Sequence, residues 1–190
     1  EMEPKGFVVV DGRFGRWAVT AFPLALLREE CVLFYGEAWE DQLVRYLNSK
    51  ALPVTFVGEF PSRPWRRLST EYEVISTGSS GGDSIAVSDL LMEEERFPWI
   101  VVASGDYLEF GALSEGKPIA LSTAGADRIL SLVKKHDVKL VEVVGPESVN
   151  FAQTLRDMSN KTIGVVVKFG RTFTGASRLR GKVLRGYTFP

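Results

Sequence analysis

Phe7-Val8-Val9-Val10-Asp11-Gly12 and Ile100-Val101-Val102-Ala103-Ser104-Gly105 together decide the fold. Each is an unbroken apolar run closed by a small or acidic polar residue and a glycine. Continuous rather than alternating apolar residues fit strands buried on both faces, as in a parallel sheet. Similar runs recur at 32–35, 54–57, 74–75, 119–121, 140–144 and 163–167. Between them the apolar residues take a helical period. Trp39, Leu43, Val44 and Leu47 share one helix face, as do Ile129, Leu130 and Val133. Residues 84–95 place Ile85, Val87, Leu90 and Leu91 in a helix whose acidic end, Glu93-Glu94-Glu95, reads as solvated. Residues 17–28 are mostly apolar, and Pro23 is expected to kink that helix or to start its second half. Strands alternating with helices predict βαβ units, mainly parallel sheets flanked by helices and right-handed crossovers.

The second half repeats the first. Val32-Leu33-Phe34-Tyr35 matches Ile119-Ala120-Leu121-Ser122. Residues 53–58 match 139–145 in their apolar core and final glycine, and 73–78 match 165–170. Four strand matches in one order point to a duplicated half rather than a short solenoid repeat. The halves run over residues 6–97 and 98–181, with 182–190 as a C-terminal extension.

Composition narrows the functions. The formal net charge is -1, which argues against a duplex nucleic-acid binder. Cys31 is the single cysteine, expected as a buried structural thiol, so no internal disulfide forms. His136 is the single histidine, in a charged string that reads as a solvated helix end. No histidine-based metal cluster and no Ser-His-Asp triad can be assembled from one such residue, so no metal, cofactor or catalytic residue is expected. No apolar run is long enough to span a membrane, and no signal-peptide pattern is present.

Val101-Val102-Ala103-Ser104-Gly105-Asp106, then Ala112-Leu113, then Lys117-Pro118-Ile119-Ala120-Leu121 resembles the cell-wall-binding repeat, type 2. Residues 129–135, 140–145 and 165–171 are similar to the parts that follow in that repeat, and 76–88 is similar to its Gly-Ser-Asp-Arg-Tyr segment without the Arg and Tyr. Gly145-Pro146, and Gly58-Glu59 in the first copy, stand where the family has Gly-Gly. The likeness runs from about residue 7 to 178, as two divergent tandem copies. It implies a flavodoxin-like or Toll-like α/β fold. It also implies a non-catalytic, extracellular module that holds secreted proteins to anionic envelope polymers.

Several residue groups are candidate sites. The loop Gly78-Ser79-Ser80-Gly81-Gly82-Asp83-Ser84 lies between a strand and a helix, where free N–H groups attract anions. It lacks a P-loop lysine and the dinucleotide spacing, and a plain turn with Asp83 or Ser84 as N-cap competes with a ligand role. Asp11 and Asp106 sit at strand C-ends, the edge where open α/β sheets bind ligands, although either can cap a helix instead. Arg63 and Arg66 flank Trp65, a set able to grip anions or stack on sugars, or to form a short helix with Trp65 and Leu68 packed inward. Arg171 and Arg178 belong to a basic C-terminal stretch suited to a polyanion. Trp17, Trp39 and Trp99 have apolar neighbours and are expected in the core. The expected function is a surface module for an anionic polymer, a glycan, a partner protein or a second copy of itself. A small-molecule or phosphate-binding domain using the 78–84 loop is the alternative.

Overall fold

The structure is a computed structural model that describes residues 3–13, 15–104, 113, 115–145 and 148–168. All eight predicted apolar runs are strands. They are β1 (Phe7–Asp11), β2 (Cys31–Tyr35), β3 (Val54–Val57), β4 (Tyr72–Ile75), β5 (Trp99–Ala103), β6 (Ile119–Leu121), β7 (Leu140–Val144) and β8 (Gly164–Lys168). Among the described residues the α-helices are α1 (Gly15–Leu27), α2 (Glu40–Lys50), α3 (Ser80–Glu94), α4 (Ala126–Lys135) and α5 (Ser148–Met158).

The strands form two four-stranded, all-parallel sheets with one topology, β2-β1-β3-β4 and β6-β5-β7-β8. The order places both topological switch points alike, between β1 and β3 and between β5 and β7. The glycines that close β3 and β7 also match in conformation: Gly58 has φ 119° and Gly145 φ 124°, a left-handed region that side chains disfavour.

Each sheet is covered differently on its two faces. Phe7, Val9, Val54 and Phe56 pack under α2. Val8, Val10, Val57 and Ile75 pack under α1 and α3. In the second sheet Ile100, Val102, Val141 and Val143 meet α4 and α5, while Val101, Ala103, Ile119 and Val144 meet Val19 of α1. Helix α1 therefore buries residues on both sides, which explains its nearly all-apolar sequence. It runs as one helix through buried Pro23, so no second helix starts there.

Helix α3 is the other shared element. Val87 and Leu91 enter the first sheet's core, and Met92 enters the second's. Fully burying a leucine such as Leu91 contributes about 1.5–3 kcal/mol. β6 is an edge strand, and its Leu121 N–H donates to Ser84 Oγ of α3 (2.9 Å). A side chain thus completes the pairing of an otherwise open edge.

The acidic end of α3 is exposed, as expected, and carries surface ion pairs from Glu94 to Arg28 (2.8 Å) and from Glu93 to Lys135 (2.7 Å). Two expectations change here. His136 is not a solvated helix end: Nε2 lies 2.6 Å from Asp89 Oδ1 of α3. Cys31 is exposed, because β2 is an edge strand and this residue opens it.

Replacing Ser84 by Ala leaves the Leu121 N–H covered and unpaired. The expected loss is about 1–3 kcal/mol in urea denaturation. A second test uses pH. Burial raises the Asp89 carboxyl, but hydrogen bonds from Lys135 and His136 outweigh it and hold the group below its usual range. A depressed folded-state pKa stabilises at neutral pH, and that contribution fades as pH falls through the lowered value. Denaturation at neutral pH separates Asp89→Asn from wild type, and the difference shrinks progressively in acid.

Candidate functional site

The 78–84 loop is built more tightly than an open anion cradle. Helix α3 begins at Ser80, four residues before the sequence reading, and its N-cap is Ser79 rather than Asp83 or Ser84. Ser79 Oγ accepts the Gly82 N–H (3.1 Å), which takes one of the free donors. Asp83 is fully buried; it accepts Trp17 Nε1–H (2.7 Å) and the Thr77 N–H (2.5 Å). Ser84 Oγ donates to the Gly81 carbonyl (2.7 Å). A Cβ on Gly81 would lie 2.6 Å from the Ala124 backbone nitrogen, across the junction with the second half. Gly81 is therefore engaged in joining the halves, Gly82 and Asp83 are buried against Thr77, Ser79 and Trp17 of the first half, and Gly78 and Ser79 remain at the surface with Ser80 half-buried. Nothing approaches a Cβ built on Gly78.

The two switch points diverge. In the first sheet Asp11 is completely buried and holds Arg13 in a fork: Nε donates to both carboxylate oxygens at 3.0 Å, and Nη2 to Oδ2 at 2.6 Å. The Arg13 N–H also donates to Oδ1 (2.9 Å). Arg13 Nη2 reaches across to the Glu59 carbonyl after β3 (3.2 Å). The hydrogen bond to Asp11 raises the guanidinium above its ordinary value. A Cβ on Gly58 would sit 2.9 Å from Asp11 Cβ, so that crevice is occupied by the chain itself.

In the second sheet Ser104 takes the place of Asp11. A cleft of about 270 Å³ opens there, lined by Ser104, Ser122, Thr123 and Ser148 over Val102, Val143 and Phe151. Ser148 opens α5 and donates to the Val144 carbonyl (2.9 Å). The sequence reading gave neither α5 nor these hydroxyls as a group. The usable signal was Ser148, Ala152 and Leu155 at helical spacing, the three residues of α5 that are buried.

On the far side of the first sheet, Pro64–Arg67 is a 3-10 turn entered through Arg63 in a left-handed conformation (φ 53°). Trp65 is half-buried against Phe56 and Phe60, with ring centroids 5.5 and 5.8 Å away. Arg63 and Arg66 are exposed beside it. Arg67 is engaged instead with Glu40 (3.1 Å) and Asp41 (2.7 Å). Of the three tryptophans expected in the core, Trp17 is there, Trp99 is partly buried beneath Lys117, and Trp39 is 49% exposed. Asp106, Arg171 and Arg178 lie outside the described residues. Among the described residues no helix is long and apolar enough to cross a membrane.

No family model and no curated protein matches the chain. Among solved structures, Cwp6 from Clostridium difficile superposes with a TM-score of 0.65 at 16% identity. The match covers 87% of this chain and 28% of that one, so this chain spans little more than a quarter of Cwp6. The likeness is one of fold. A zinc-bound mutant variant of AdcAII from Streptococcus pneumoniae aligns over 87% of this chain and 89% of its own at 11% identity, with a TM-score of only 0.27.

Arg13→Ala strands a buried carboxylate with the Arg13 backbone N–H as its remaining partner. Because the guanidinium is half-exposed, the expected loss is about 2–3 kcal/mol, below the cost of breaking a fully buried pair. Arg66→Ala, an exposed control, is expected within about 0.5 kcal/mol of wild type by the same denaturant titration.

Proposed function

We propose that this chain is a non-catalytic envelope module, a divergent pair of cell-wall-binding repeats of type 2, that binds an anionic wall polymer at the cell surface. The observation that carries the reading is the paired β2-β1-β3-β4 and β6-β5-β7-β8 architecture, superposable on Cwp6, a cell-wall protein, over 87% of the chain. The sequence likeness at 101–106 and 117–121 supports it independently. Exposed Arg63 and Arg66 supply positive charge for a polyanion, and in this reading Arg171 and Arg178 extend it. No nucleophile–base pair was legible in the sequence, and the module acts by binding, to a polymer, a protein or a second copy of itself.

The hydroxyl-lined cleft at the second switch point favours one competing reading, a small-molecule or phosphate-binding domain. Calorimetry against purified teichoic acid and against nucleotides separates the two. The envelope reading expects binding to the polymer that weakens as salt rises from about 0.05 to 0.5 M, within the range where exposed charges become screened. It also expects roughly threefold or greater loss in the Arg63→Ala/Arg66→Ala double variant, the scale of a surface charge effect. Nucleotide binding that is lost in Ser104→Val, with no response to the polymer, overturns it.

A further inference from the structure

Trp39 stands at the C-terminal edge of the first sheet, between β2 and α2, in a short 3-10 turn (Glu37–Trp39). Its ring is fixed rather than merely exposed. Nε1 donates to the Phe34 carbonyl (3.2 Å), and the indole rests on Gly36, where a Cβ would strike it at 2.4 Å. About half of the side chain stays open. It borders a cleft of about 500 Å³ walled by Tyr35, the first turns of α2 and Pro61-Ser62.

The wall behind the ring is rigid as well. Tyr35 Oη donates to Glu40 Oε2 (2.7 Å) and lies 2.9 Å from Ser62 Oγ, which also bonds Glu40. Arg67 closes the set through Glu40 and Asp41. The hydrogen bond from Ser62, helped by Tyr35 and Arg67 against the cost of burial, keeps Glu40 ionised below the usual carboxylate range. In contrast, the side chains of Glu37, Gln42 and Arg45 line the cleft with no hydrogen-bond or ion-pair partner among the described residues. They offer an acceptor, an amide of both kinds and a donor in the cleft that Trp39 borders.

We infer that this cleft is a subsite for a neutral sugar residue of a glycan, with Trp39 as the stacking platform and Glu37, Gln42 and Arg45 as hydroxyl partners. A pyranose ring presents a C–H face that packs on indole and a rim of hydroxyls that both donate and accept. Concave sites with one apolar surface and a few placed polar groups bind such ligands. An anionic group would face Glu37, Glu40 and Asp41 together, and a cation would face Arg45. The mixed lining fits neither as well as a neutral ring. The inference rests on the binding-module reading above and names a second, uncharged contact for the same kind of polymer.

The test uses the full chain with two neutral oligosaccharides, chitohexaose and cellohexaose, measured by calorimetry at two salt concentrations. Binding of at least one, little changed by salt, is expected. Trp39→Ala is expected to weaken it by about tenfold or more, the size of a lost aromatic contact. Arg45→Ala, an exposed change on α2, is expected to weaken it several-fold, and Lys134→Ala, an exposed change on α4, to leave it unchanged. Unaltered melting temperatures exclude unfolding as the cause. Binding that survives Trp39→Ala, or that vanishes only with the Arg63/Arg66 pair, overturns the subsite. Teichoic acid binding without any neutral-sugar binding overturns it too and leaves the envelope reading standing. Failure to bind any of these polymers overturns both.

Discussion

The molecule depends on a helix that two sheets share. Helix α3 buries Val87 and Leu91 in one core and Met92 in the other, and its first turn is pinned from three directions. Asp83 accepts Trp17 of α1, Ser84 completes the edge of β6, and Gly81 lets the backbone at Thr123-Ala124 come within a distance no side chain allows. Remove that contact geometry and the second sheet loses both an edge cover and part of its wall. The Gly-Ser-rich start of α3 is thus a joint. Its composition reflects close backbone approach between halves as much as any ligand.

Much of this was written into the chain in readable form. A strand buried on both faces has to be continuously apolar, so Phe7-Val8-Val9-Val10 and Leu140–Val144 announced themselves. The shared topology of the two sheets was legible because their apolar runs follow one another in the same order. Helix ends were harder. Ser79-Ser80-Gly81-Gly82 has weak helix propensity, and the local Ser79 cap is joined by a tertiary contact of Gly81 with Thr123-Ala124 that local sequence does not show. Helix α5 was missed because it buries little more than Ala152 and Leu155, leaving Val149 and Met158 exposed at the positions that would have strengthened its period.

The candidate sites were legible by residue type and not by exposure. Asp83 and Trp65 were candidate ligand contacts, and Trp39 was expected in the core. Whether each faces solvent depends on packing partners that residue type does not name: Trp17, 66 residues away, for Asp83, and the nearer Phe56 and Phe60 for Trp65 and Gly36 for Trp39. Trp39 has apolar neighbours in sequence, yet it falls at the start of a helix whose buried face begins at Leu43. Arg67 and His136 were passed over for the converse reason, since their acidic partners lie 26–47 residues away. Asp11 and Ser104 are the clearest case of one topological position taking two roles: an ion pair between buried Asp11 and half-exposed Arg13 fills the first crevice, and Ser104 lines a cleft at the second.

The layer formed by α1 and α3 also bears on how the chain comes apart. Trp17 and Leu24 belong to the first core while Val19, on the same helix, belongs to the second. A fluctuation that opens one sheet must strip apolar cover from the other, so the two sequence-alike halves share one unfolding equilibrium. Two sheets of one topology thus form a single cooperative unit in which neither half is a detachable bead.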